Sequence, residues 1–216
     1  MNIKIKNLSV IIFFIPTFTV IFSYIFSSNL NLVPSCMPII DGCTSISRTG
    51  RYYPVNYFFK SLIFISGIFI ILYWYKNYFF FNKHFKSNLN KIALLIGLLS
   101  ITFLFLYIIF LGESNYYKFF RKIGIFIYIL FAIISEFLLS IIYFKNRNYN
   151  LFSNNFIKTK LYLSSILTIL GILLFPFMIM KIDNVTNLRN AISWNYFLLI
   201  QISYLSTYFC WKKYKN

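Results

Sequence analysis

Carboxylates are what this chain has least of: its 216 residues hold four Asp and Glu in all, against 21 Lys and Arg. There is one histidine, His84, and there are three cysteines, Cys36, Cys43 and Cys210. A lone histidine has no companion for metal binding or for a proton relay. Three cysteines are too few for a disulfide framework and are not spaced like a zinc ribbon, so no metal and no cofactor are expected. Charged residues make up only 12% of the chain, whereas 59% is hydrophobic and 23% aromatic. That balance excludes an ordinary soluble domain and points to a membrane protein. The net charge of +17 does not indicate nucleic acid, because nucleic-acid binders gather their basic residues on one face or helix. Here Lys and Arg sit in short clusters between apolar runs, as in a multi-span protein facing an anionic leaflet.

A hydrocarbon core of roughly 30 Å needs about 20 apolar residues at 1.5 Å each. Six stretches meet that requirement: 8–26, 58–78, 92–111, 123–144, 161–180 and 193–211. They lack the period-2 alternation of a barrel strand, and backbone groups in lipid must be satisfied within the segment. The expected fold is therefore all-α, a six-transmembrane-helix bundle forming a single domain over residues 1–216. The N-terminal run resembles a signal peptide, but it is long and no A-x-A site follows, so it is expected to be retained.

The side with the N-terminus, the loops from Tyr75 to Lys91 and from Lys145 to Lys160, and the C-terminal tail carries thirteen Lys and Arg; the other side carries eight. The positive-inside rule then places both termini in the cytoplasm. Asp41, Glu113 and Asp183 all fall in the three outside loops. Aromatics at the span ends, among them Tyr73, Trp74, Tyr75, Tyr78, Trp194 and Trp211, read as interfacial anchors.

The one long polar interruption runs from Cys36 to Lys60. Asp41-Gly42 signals a turn, and Pro54 suits the first turn of the second span. Arg48 and Arg51 are thereby held near the membrane surface, where guanidinium groups bind phosphate oxygens in bidentate fashion. Ser45 and Ser47, with Thr44 and Thr49, add hydroxyl donors. Lys60 and, from the second outside loop, Arg121 complete a set suited to an anionic lipid headgroup. The competing reading is a solvated loop whose arginines snorkel at the interface. Cys36 and Cys43, on the outer side, are close enough in sequence to form a loop-closing disulfide or to remain free thiols. Cys210 lies at the opposite face.

Glu136 is the one acid within a span, and intramembrane ionisable groups mark function by default. It lies about 20 Å below the start of its span. No Lys or Arg is expected at that depth, so it is expected to be protonated and bonded to Gln201 or Tyr204, either as interhelical polar glue or as a proton relay. Asp41 and the loop serines fall on the side opposite His84, so neither a Ser-His-Asp triad nor a His-based zinc hydrolase can be assembled. Whether the chain is an enzyme is left open. Pro16, and Gly171 with Pro176, do not occupy corresponding places in two halves, which favours plain kinks over the broken helices of a transporter.

The loop also carries a pattern: Ile46-Ser47, then Gly50 and Pro54, then Phe58 or Phe59 and Lys60 opening the next span. Further on stand Arg121-Lys122-Ile123-Gly124 and Asn190-Ala191-Ile192-Ser193-Trp194. Together with six spans, these resemble the FRAG/DRAM/SFK-type membrane family, which includes the N-terminal domain of factors that remodel the lipid of GPI anchors. Ser193 stands where the family has a glutamate before the tryptophan, and Phe120 is nearest to its second-loop histidine. The resemblance implies a polytopic protein of membrane-lipid handling, with membrane lipids as partners. The Asn, Ile, Lys and Phe bias fits an AT-rich genome and a bacterial inner membrane, where an anchor-remodelling role would not transfer. The leading expectation is headgroup binding at the outer loop in aid of lipid remodelling or organisation. Two others stand beside it: a proton-coupled transporter using Glu136, and a non-catalytic scaffold docking a membrane-protein partner.

Overall fold

The computed structural model of the chain describes residues 4–112, 117–179 and 185–212. Glu113, Asp183 and Met180, the last residue of the expected fifth span, lie outside these. The described residues form six long helices, α1 (Ile5–Asn29), α4 (Val55–His84), α5 (Asn88–Phe110), α6 (Lys118–Lys145), α7 (Asn154–Ile179) and α8 (Thr186–Cys210). Two one-turn helices, α2 (Pro38–Asp41) and α3 (Ile46–Thr49), stand in the polar loop. Among the described residues the only strand-like pairing is a single antiparallel bridge, Phe152 to Trp211.

Five helices, α1, α4, α5, α6 and the apolar part of α7, are long and apolar enough to cross a membrane. The last helix, α8, is as long as α1 but is interrupted by Arg189, Asn190, Asn195 and Gln201, and it falls short of the same requirement. Packing nonetheless gives it a full place. Each long helix packs on the next in chain order, and α8 closes the ring against α1. Short connections make neighbours antiparallel, so the polar loop sits at one end, the loop end. Both chain ends meet at the other, where the Lys6 ammonium lies 4.2 Å over the Tyr208 ring.

The tightest seam is between α5 and α6. A side chain at Gly124 would stand 2.9 Å from the Tyr107 backbone nitrogen, so glycine lets the two backbones touch. Two expectations change here. Tyr73, Trp74 and Trp194 are 0%, 1% and 3% exposed, so they are core residues rather than interfacial anchors. The reason is that α4 continues six residues beyond Tyr78, which leaves Tyr73 and Trp74 well inside the helix. Likewise α7 starts at Asn154, about two turns before Leu161. Hydropathy marks where apolar residues begin, and a helix obeys no such limit.

Candidate functional site

The loop between α1 and α4 is fastened as a roof over the ring. Cys36 and Cys43 are joined by a disulfide. The Tyr24 hydroxyl of α1 donates to the Cys36 carbonyl and accepts from the Cys36 N–H, while Ser27 Oγ donates to the Thr49 carbonyl at 2.6 Å. From α8, Asn190 donates to the Gly42 carbonyl, Trp194 Nε1 to that of Thr44 and Asn195 to that of Ile39, all at 2.8–2.9 Å. Gly42 has φ +60°, and a Cβ there would overlap the Asn187 carbonyl. Only glycine serves at such a point of left-handed backbone and close approach.

Beneath the roof the ring encloses a partly open cavity of about 230 Å³. Its walls are mostly hydrocarbon: Val20, Phe59, Ile63, Leu104, Ile129 and Ile200 among others. Ser45, just before α3, Ser47 of α3, Ser193 of α8 and Tyr107 of α5 line the loop end. The deepest lining residue on each helix is Pro16, Ser66, Leu104, Ile133, Gly171 or Gln201. From Ser193 to Gln201 the depth along α8 is about 12 Å at 1.5 Å per residue. The wall from α1, α4 and α5 is largely buried, whereas that from α6, α7 and α8 is half-buried, which makes the latter the looser side.

Beside the mouth lies a cluster of positive charge. Arg121, near the start of α6, is 6% exposed and stands close enough to Arg51 of the loop for the two guanidinium charges to repel, with Tyr107 interacting with both. The Arg51 Nε is buried with no acceptor among the described residues, and the neighbouring Asn56 Oδ1 is buried with no donor among them. Of the acids among the described residues, Asp41 accepts from the Met37 N–H at 2.7 Å and Glu136 is engaged elsewhere. Neither guanidinium has a carboxylate partner among the described residues. Lys60 donates to the Ile109 carbonyl at 3.5 Å, at the loop end of α5.

One turn below the cavity floor, Glu136 is salt-bridged to Lys160, Nζ to Oε2 at 2.7 Å, with the two side chains 3% and 0% exposed. This overturns the expectation that no basic residue reaches Glu136 and that it is bonded to Gln201 or Tyr204. Because α7 begins early, Lys160 is an inward-facing helix residue rather than a loop residue. Its ammonium also donates to the Ser203 carbonyl at 3.1 Å and to Ser206 Oγ at 3.4 Å. The Tyr73 hydroxyl donates to Glu136 Oε1 at 3.1 Å and pairs with Thr207 Oγ1 at 2.8 Å. A second chain runs from Trp211 Nε1 to the Tyr143 hydroxyl and from that hydroxyl to Asn77 Oδ1, each at 3.1 Å.

The residues singled out in the sequence thus separate by depth. Ser45 and Ser47 line the mouth; Arg51 and Arg121 form the charge pair; Arg48 is exposed on α3. Glu136 lies in the network, and Gln201 faces the cavity floor. Tyr107 and Ser66 carry no sequence signal as site residues, whereas the sequence places Tyr73 at an interface and Lys160 in a loop. The polar stripe on α8, Gln201, Tyr204 and Thr207 at three-residue steps, pointed to a polar seam facing inward. His84 pairs with Tyr149 at 3.5 Å near the chain ends, away from Asp41, and no cluster of potential metal ligands occurs among the described residues.

What the arrangement can do follows from its parts. Two guanidinium groups with no carboxylate partner among the described residues favour an anion with several oxygens, and an apolar cavity admits hydrocarbon. A family model described as the Frag1/DRAM/Sfk1/Cwh43P N-terminal domain matches residues 5–211. No curated protein and no solved structure matches the chain.

Proposed function

The chain belongs to the Frag1/DRAM/Sfk1/Cwh43P N-terminal domain family, and from that premise we propose that it is a six-span protein that binds an anionic amphiphile of the outer leaflet. In this reading α8 is the sixth span, both termini are cytoplasmic and the membrane is a bacterial inner membrane. The phosphate sits against Arg51 and Arg121, with Lys60, Arg48 and the hydroxyls of Ser45 and Ser47 around it, and the hydrocarbon enters the cavity. Such binding assists membrane-lipid remodelling or organisation.

The observation that carries the reading is the Arg51–Arg121 pair, without a carboxylate partner among the described residues, beside an apolar cavity. Magnitudes say which part dominates. A chain moved from bilayer to cavity leaves one apolar medium for another, so it contributes little. Hydrogen bonds to charged groups contribute about 1.5–3 kcal/mol each, and the anion also relieves the repulsion between the guanidiniums. Headgroup charge therefore sets affinity.

Thermal stabilisation by added lipid reads this directly, since a ligand that binds only the folded state must stabilise it. Phosphatidylglycerol is expected to raise the melting temperature of the wild type more than phosphatidylcholine does. The Arg51→Gln/Arg121→Gln variant should lose that difference while melting no lower without lipid. Equal stabilisation of both proteins by phosphatidylglycerol would refute the assignment. The proton-coupled alternative is less well supported, because Lys160 already neutralises Glu136.

A further inference from the structure

The cavity is mostly apolar, with polar groups at its mouth and again at its floor. There Gln201 of α8 and Ser66 of α4, 2% and 1% exposed, line the cavity, and Gln201 Oε1 and Ser66 Oγ have no hydrogen-bond partner among the described residues. The two stand at the same level. Ser66 precedes Tyr73 by seven residues and Gln201 precedes Thr207 by six, on helices running in the same direction, and the Tyr73 and Thr207 hydroxyls are 2.8 Å apart. At 1.5 Å per residue both groups lie about 10 Å above that contact. A buried polar atom without a partner is costly, and the polar groups below do not relieve it: the Tyr204 hydroxyl, also buried and unpaired among the described residues, bonds neither. Lys160, Glu136, Tyr73 and Thr207 already bond one another.

We infer that the cavity is built for a chain that ends in, or carries near its far end, a hydroxyl group. A carboxamide oxygen needs a donor and a serine hydroxyl can both give and accept, so one hydroxyl between them satisfies both. A plain methyl end leaves both unpaired, which is the situation in which a polar site discriminates against the analogue lacking its group. The substrate class is thereby narrowed from an amphiphile in general to an ω-hydroxylated or similarly substituted single chain. This rests on the cavity half of the proposed function and is separable from the headgroup half.

The test uses the full chain in phosphatidylcholine nanodiscs and two probe pairs: dodecane against dodecanol, and dodecyl phosphate against its ω-hydroxy analogue. Affinities are measured by calorimetry for wild type, Gln201→Leu and Ser66→Ala; the variants supply the baseline for partition into the disc, and Ser66→Ala serves alone if Gln201→Leu does not fold. In the wild type the hydroxyl-ended member of each pair is expected to gain about tenfold over that baseline, the worth of one buried hydrogen bond. A ratio of affinities unchanged between wild type and both variants overturns the inference, as it would if water alone satisfied Gln201. A hydroxyl preference in the neutral pair with no binding of either phosphate supports the inference and removes the headgroup reading. No binding of any probe overturns both.

Discussion

The buried pair of Lys160 and Glu136 provides the sharpest test of how the bundle is held together. Lys160→Met preserves the length of the side chain but leaves Glu136 facing Tyr73 with no cation, in a place where the two side chains are 0% and 3% exposed. Removing one partner of a buried pair destabilises by about 3–5 kcal/mol, because the remaining charge is uncompensated. For a chain of this size that corresponds to a drop on the order of 10 °C in melting temperature. Glu136→Gln should cost a similar amount, since it strands the ammonium while keeping an acceptor for Tyr73. The double variant removes both charges, and replacing a whole buried pair is close to neutral. Its melting temperature should therefore recover to within a few degrees of the wild type. Thermal melts of the four proteins in one detergent, run at one scan rate, form a double-mutant cycle. If the double variant loses the sum of the two single losses, the pair contributes independently at each site and the reasoning is wrong.

Two further expectations concern the roof. Cys36→Ser with Cys43→Ser opens an eight-residue loop and should lower stability by about 2.5 kcal/mol on the loop-entropy relation, seen as a lower melting temperature that no longer responds to reductant; an unchanged melt would refute it. Gly42→Ala forces a side chain into the Asn187 carbonyl at φ +60°, with an expected loss of about 2 kcal/mol or more from strain and from the displaced bonds to Asn190 and Trp194. A melt within about 0.5 kcal/mol of wild type, the range of ordinary surface changes, would show that the loop shifts freely.

Much of this architecture was legible in the composition. Runs of about 20 apolar residues leave the backbone no option but helices, and Asp41-Gly42 marked the turn at which the roof bends. The motif from Ile46 to Lys60 pointed to the family that the chain belongs to. Other readings failed for a common reason. Lys160 and Tyr73 were assigned by the hydropathy of their neighbours, as loop and interface residues, but whether a helix buries a residue depends on which face meets its neighbours. No run length encodes that.

What the sequence by itself determined is the one-dimensional part: helical spans, a polar loop between the first two, the identity of its cations and hydroxyls, and family membership. Each follows from local chain chemistry acting over a few residues. Only the tertiary structure decided that Arg51 meets Arg121 across 70 residues, that Lys160 turns inward to Glu136, and that Ser66 and Gln201 share one level of a cavity. These depend on the ring closure of α8 against α1. That closure arises from the packing of faces distant in sequence, and it is the packing that turns scattered polar residues into a site.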